Sequence, residues 1–261
     1  MIPKSYIIAW SQKAPWKNNY LVEHDLIIEK ALYEIYSNSE LNEHLAFRGG
    51  TALHKLYFDP QPRYSEDIDL VQISSGPIGD ILTLLREQLS FLGEAKYERA
   101  AHSNKLIYRI ETEFEPVTRL RLKIEINTRE HFTKFGYKEF ERSVENDWFS
   151  GSCKIKTFAV EELLGTKLRA LYQRSKGRDL FDLWFANANS QLDINKIIES
   201  FHFYMENENH AVSSSEFISN MEIKVADKEF HGDLEGLLRP EIIYNGLIAW
   251  QIIKKLIIDK I

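Results

Sequence analysis

At 261 residues, with 44% hydrophobic and 28% charged content, the chain has ample length for a core and an ordinary globular composition. A formal net charge of -6 excludes a surface that binds nucleic acid everywhere, so any RNA contact must come from a local basic patch. The single Cys153 excludes an intramolecular disulfide and a cysteine-based zinc cage, which fits a reducing cytoplasm.

Residues 1–10 are too short and too polar for a signal peptide. A helix is predicted over 18–36, with Leu21, Ile28, Leu32 and Ile35 on one side. Residues 45–48 form a short strand that delivers a diglycine turn, Gly49-Gly50, with a helix beginning near Thr51. A second strand carries Asp67-Ile68-Asp69-Leu70. An amphipathic helix opens at Gly76-Pro77 and stops at Gly93. Strands follow over 96–100, 105–114 and 119–126; 132–150 has no clear pattern, and 154–158 is a last strand.

Beyond Ala159 the character changes to almost all helix, over 160–174, 179–188, 194–206, 216–227 and 241–259, with 228–240 as a loop. Ser213 and Glu216 have capping-box spacing. The apolar stretch 242–258 is interrupted by Asn245, Gln251 and Lys254-Lys255, so it reads as a buried helix and not a membrane span. This order divides the chain into an α+β part, residues 1–158, and a helical part, 159–261.

The candidate chemistry lies in three blocks. In the first, Phe47-Arg48-Gly49-Gly50-Thr51-Ala52-Leu53 precedes Arg63-Tyr64-Ser65-Glu66-Asp67-Ile68-Asp69-Leu70. On a strand, Asp67 and Asp69 share one face. Two adjacent carboxylates repel, and a divalent cation such as magnesium relieves the repulsion. Gly49, Gly50 and Thr51 can offer backbone N–H groups and a hydroxyl to a phosphate at a helix start.

In the second block, residues 119–127, polar and apolar residues alternate, so Arg119, Arg121, Lys123, Glu125 and Asn127 line one face. Taken alone, this pattern reads as an edge strand with a solvated face. The third block runs from Glu161-Glu162-Leu163-Leu164-Gly165-Thr166-Lys167-Leu168-Arg169-Ala170-Leu171 to Arg178-Asp179 and Asp182. From Leu163 to Arg178 it holds five basic residues and no acid, which favours an anion partner. Gly177 is expected to end its helix.

Together these blocks resemble the DNA polymerase β-like nucleotidyltransferases, and more narrowly the AbiEii/AbiGii-type toxin nucleotidyltransferases of abortive-infection and toxin–antitoxin systems. The resemblance spans residues 45–185, although Thr51 stands where many of these enzymes have serine. It implies a polymerase β-like core, a mixed sheet with flanking helices, followed by a helical C-terminal domain. It implies Asp67, Asp69 and Glu125 as ligands of Mg2+, and Gly49, Gly50, Thr51 and Lys167 as contacts of a nucleoside triphosphate. Asp182 joins the catalytic cluster, and Arg178 and Asp179 are weaker members of the signature. The acceptor implied is the 3′ end of tRNA or another RNA, with a cognate antitoxin as partner, in the cytoplasm and without a membrane. A protein or small-molecule acceptor, or a catalytically idle binding module, stay open as alternatives. No P-loop or Rossmann glycine motif, close histidine pair or nucleophile elbow competes with this reading.

Overall fold

The computed structural model describes residues 2–261 and falls into two compact units, one ending at Phe158 and the other beginning at Ala159. In chain order the first unit contains α1 (Lys4–Trp10), α2 (Asn19–Ser37), α3 (Ser39–His44), β1 (Leu45–Arg48), α4 (Gly49–Tyr57), β2 (Asp67–Gln72), α5 (Gly79–Gln88), β3 (Lys96–Arg99), β4 (Ser103–Glu111), β5 (Arg119–Asn127), β6 (Tyr137–Glu145) and β7 (Ser150–Phe158). The seven strands form one mixed sheet in the order β3-β4-β5-β2-β1-β7-β6. β2 runs antiparallel to β1 and parallel to β5, and β1 pairs in parallel with β7.

Local chemistry explains the element boundaries. Asn38 accepts from Leu41 N (3.0 Å) and so starts α3. Gly93, at φ +82°, takes the left-handed conformation that ends the segment after α5. In β5 the residues Leu120, Leu122, Ile124 and Ile126 are buried while the alternate residues face out. α2 is nearly enclosed: Leu26, Ile28, Ala31 and Ile35 are fully buried, which places the core between this helix and the sheet.

The second unit is helical: α6 (Val160–Gln173), α7 (Gly177–Asn189), α8 (Ile194–Glu206), α9 (Ser214–Val225), α10 (Lys228–Gly232) and α11 (Gly246–Leu256). The Ser213–Glu216 capping box is formed in full at α9, and Asn245 accepts from Leu247 N and Ile248 N to start α11. Among the described residues no helix is long and apolar enough to cross a membrane.

Several sequence expectations change. α4 begins at Gly49, two residues before Thr51, and α5 begins at Gly79, after the Gly76-Pro77 pair. The unassigned stretch before Ser150 contains β6, and β7 starts at Ser150, four residues earlier than expected. The expected loop 228–240 contains α10, capped by Asp227 and anchored by the buried Phe230. The expected C-terminal helix is shorter, because Asn245 fixes its start. Gly177 opens α7 and does not close α6: a Cβ there would collide with the Phe230 carbonyl oxygen, so glycine serves close approach.

Candidate active site

The carboxylate site grows out of the pairing of β1, β2 and β5. The register sets Asp69 opposite Arg48 on one side and Glu125 on the other, and Asp67 opposite Lys123. β5 has strands on both sides, so its alternate polar residues line a sheet face and the edge-strand reading is excluded. The three predicted carboxylates therefore share one face of adjacent strands.

The diglycine turn meets the same face. Gly49 has φ +79°, and a Cβ on it would collide with Asp69 Oδ2. Asp69 thus lies against the glycine backbone at the N-terminus of α4, where the first helical N–H groups have no intrahelical acceptor. Gly49→Ala is expected to impose backbone strain and push the Asp69 carboxylate aside together. A loss of nucleotide transfer of at least about 10²-fold, in protein whose circular dichroism is unchanged, is the expected result; near-wild-type turnover would show that the close approach is dispensable.

Thr51 is only 1% exposed, and its hydroxyl donates to the Asp67 carbonyl oxygen (2.5 Å) while lying 2.7 Å from Ser65 Oγ. The hydroxyl expected to meet a phosphate instead ties α4 to the start of β2.

Charge on this face is uneven. Burial raises the Asp67 carboxyl above the usual carboxylate range, against the opposing pull of Lys123, and does the same to Asp69. For Glu125 burial also pushes upward, but hydrogen bonds from Ser103 and Lys123, with the Lys123 and Lys105 charges, hold it below the usual range. Its Oε1 accepts from Ser103 Oγ at 2.7 Å, and its Oε2 lies 3.0 Å from Lys123 Nζ.

Asp67 Oδ1 is buried with no hydrogen-bond partner among the described residues. A buried carboxylate oxygen without a donor is costly unless a cation meets it. Asp67 and Asp69 are hard oxygen donors, so the pair fits a hard divalent cation such as magnesium. No three Asp, Glu, His or Cys side chains form a ready-made metal cage among the described residues. Lys123 stands between Asp67 and Glu125 instead.

Behind this face lies a charged network that sequence reading missed. Lys55, on α4, is 3.2 Å from both Asp25 oxygens and 3.1 Å from Glu29 Oε2. Trp10 Nε1 donates to Asp25 (3.0 Å), and Arg142 Nε donates to Glu29 (2.6 Å). Burial raises the Glu29 carboxyl, but Lys55 and Arg142 outweigh it and bring it below the usual range. The available signal was Asp25 and Glu29 at i, i+4 among the apolar residues Leu26, Ile27, Ile28 and Leu32 of α2.

The second unit brings Lys167 and Asp182 together. Lys167 Nζ lies 3.0 Å from Asp179 Oδ1 and 2.9 Å from Asp182 Oδ2, with both aspartates fully buried. Arg174 also donates to Asp179 (2.7 Å), and the two cations overcome burial to hold Asp179 below the usual range. Arg169 pairs with Glu208, while Lys176 and Arg178 lie within 3.4 and 3.6 Å of Asp233. The basic block is therefore compensated by acids from its own unit. The absence of acids between Leu163 and Arg178 is thus made up by the fold.

The arrangement of a mixed sheet, a glycine turn and a D-x-D strand is that of a nucleotidyltransferase. A putative nucleotidyltransferase from H. pylori superposes with a TM-score of 0.54 at 16% identity, covering 93% of this chain and 96% of its own. MenT4, a nucleotidyltransferase toxin from Mycobacterium tuberculosis, superposes with a TM-score of 0.62 at 14% identity, covering 98% and 88%. Among curated proteins none matches the chain in sequence. A family model described as "Nucleotidyl transferase AbiEii toxin, Type IV TA system" matches residues 30–248, and the chain belongs to that family. It is a nucleotidyltransferase.

Proposed function

We propose that this protein transfers a nucleotide from a nucleoside triphosphate to an RNA 3′ hydroxyl, with tRNA as the acceptor, in a Mg2+-dependent reaction. The observation that carries the reading is the orphaned, buried Asp67 oxygen on the face where Asp69 overlies Gly49 and pairs in register with Glu125. Asp67 and Asp69 would hold the metal ion, which when bound would supply positive charge against the charge that develops on the reacting phosphate.

The Gly49 and Gly50 amides and the N-terminus of α4 receive the donor phosphates. Glu125, which its neighbours keep ionised at neutral pH, accepts the hydrogen bond of the acceptor hydroxyl and aims its oxygen at the α-phosphorus. The acceptor oxygen bonds to the α-phosphorus while its proton passes to Glu125, the bond from the α-phosphorus to the bridging oxygen breaks, and pyrophosphate leaves. The family resemblance also assigns Lys167 to the triphosphate and Asp182 to the catalytic cluster; within the second unit Asp182, 2.9 Å from the Lys167 ammonium, orients it.

An exposed pair of arginines supports a nucleic-acid acceptor. Arg109 on β4 and Arg121 on β5 stand directly opposite one another on the face that carries Glu125. Like charges directly opposed on a sheet are unfavourable, and no carboxylate reaches ion-pair distance of either among the described residues; Glu98 and Asp67 feel Arg121 only electrostatically. A phosphodiester backbone satisfies both guanidinium forks. Arg109→Gln/Arg121→Gln is expected to raise KM for RNA about tenfold and to flatten its salt dependence by about one to two phosphate contacts. KM for the triphosphate should stay unchanged; a rise there alone would move the pair to the donor.

The family's toxin–antitoxin setting supports a toxic outcome relieved by a cognate antitoxin. The acceptor is tested by incubating the protein with each labelled triphosphate, magnesium, and either purified tRNA or RNA-depleted lysate. Labelled tRNA is the expected result. Label confined to a protein or a small molecule would replace RNA as the acceptor.

A further inference from the structure

We infer that Lys123 is the resident counter-cation of the carboxylate face, a positioning residue that occupies the place of the divalent metal and leaves it when the metal binds. The inference rests on the proposed reading of Asp67 and Asp69 as metal ligands. Lys123 lies opposite Asp67 in the β2–β5 register, with its ammonium 3.1 Å from Asp67 Oδ2 and 3.0 Å from Glu125 Oε2.

Three carboxylates on one face need a cation to remain ionised together. Lys123 is the cation within ion-pair distance of both Asp67 and Glu125. It is a single charge, and Asp67 Oδ1 still lacks a partner with the ammonium in place. The ammonium thus bridges Asp67 and Glu125 but leaves the site partly unsatisfied. A divalent ion offers Asp67 more charge than the ammonium does, so exchange is favourable.

Lysine suits this role because its ammonium sits on a flexible four-carbon stem and can swing away without moving the strand. The side chain keeps 18% of its surface exposed, so a route out of the site exists. Arginine, with a planar fork, would bind the carboxylates more rigidly. Lys105, 3.4 Å from Glu125 Oε1, stays behind to keep Glu125 ionised once Lys123 has left.

The test is Mn2+ binding without nucleotide, read by electron paramagnetic resonance of the free ion, for wild type, Lys123→Met and Lys123→Gln. Both variants are expected to bind Mn2+ about tenfold more tightly, to melt at lower temperature without metal, and to gain more in Tm when it is added. Using two variants guards against one that folds poorly. Adding Asp69→Asn to either background should abolish the binding.

Unchanged or weaker Mn2+ affinity in both variants, with binding still lost on Asp69→Asn, would overturn the inference while leaving the metal site standing. Lys123 would then only brace the strands. Tight binding that survives Asp69→Asn would place the metal elsewhere and overturn the reading of the carboxylates together with the inference.

Discussion

Lys55→Met will lower the unfolding free energy by about 3–5 kcal/mol, measured as a shift of the urea midpoint at constant slope. The Lys55 side chain is 3% exposed and holds together Asp25 and Glu29, at 2% and 1%. Removing the ammonium leaves the Trp10 indole N–H as the hydrogen-bond donor to Asp25 among the described residues, and a neutral donor cannot neutralise a buried charge. Glu29 keeps Arg142, so the larger part of the loss falls on Asp25. Lys55→Met/Asp25→Leu should recover part of it, because an apolar pair in place of a buried ion pair costs little. A single-variant loss below about 1 kcal/mol would mean that the network is hydrated and relaxed. The network also bears on function: Lys55 sits on α4, whose first residue lies against Asp69, so loosening it should blunt activity before the protein unfolds.

The second large effect is on chemistry. Asp69→Asn is expected to reduce nucleotide transfer by at least about 10³-fold while leaving the fold intact. Burial already disfavours the Asp69 charge, so the amide should not weaken the metal-free protein and is expected to stabilise it slightly. Asp67→Asn should behave in the same way. Circular dichroism and thermal melting check the fold, and steady-state transfer checks the loss. Turnover within a few-fold of wild type in both folded variants would remove these residues from the reaction.

The fold and the carboxylate face were legible in the sequence for different reasons. β5 alternates throughout and the D-x-D strand alternates over Asp67-Ile68-Asp69-Leu70, which fixes the face these side chains use once the strands are paired. The pairing came from the motif resemblance, since alternation does not say which strands are neighbours. Helix ends in the second unit were readable where a cap was written into the chain, as at Ser213–Glu216.

β6 was not readable. Only Val144 in it is buried, so its aromatic and charged residues show no apolar face. Gly177 misled because a glycine that ends a helix and one that permits close contact look alike in sequence, and Phe230 lies far along the chain. The basic run Leu163–Arg178 looked unpaired because its acids lie outside it: Asp179 and Asp182 follow it directly, and Glu208 is 39 residues from Arg169. Lys123 was grouped with the other basic residues of its strand, since only the register shows that it stands opposite Asp67. His54 is fully buried, a position its local pattern does not reveal.

The central claim is that Asp67 and Asp69 serve transfer of a nucleotide, with its α-phosphorus, to an acceptor hydroxyl. The most direct measurement compares triphosphate labelled at the α-phosphorus with the same triphosphate labelled at the γ-phosphorus, each with magnesium and purified tRNA, for wild type and Asp69→Asn. The account predicts that tRNA acquires α-label and no γ-label with the wild type, that pyrophosphate is released in step, and that neither label is transferred by Asp69→Asn. Transfer of γ-label, or equal α-labelling by wild type and Asp69→Asn, would contradict it.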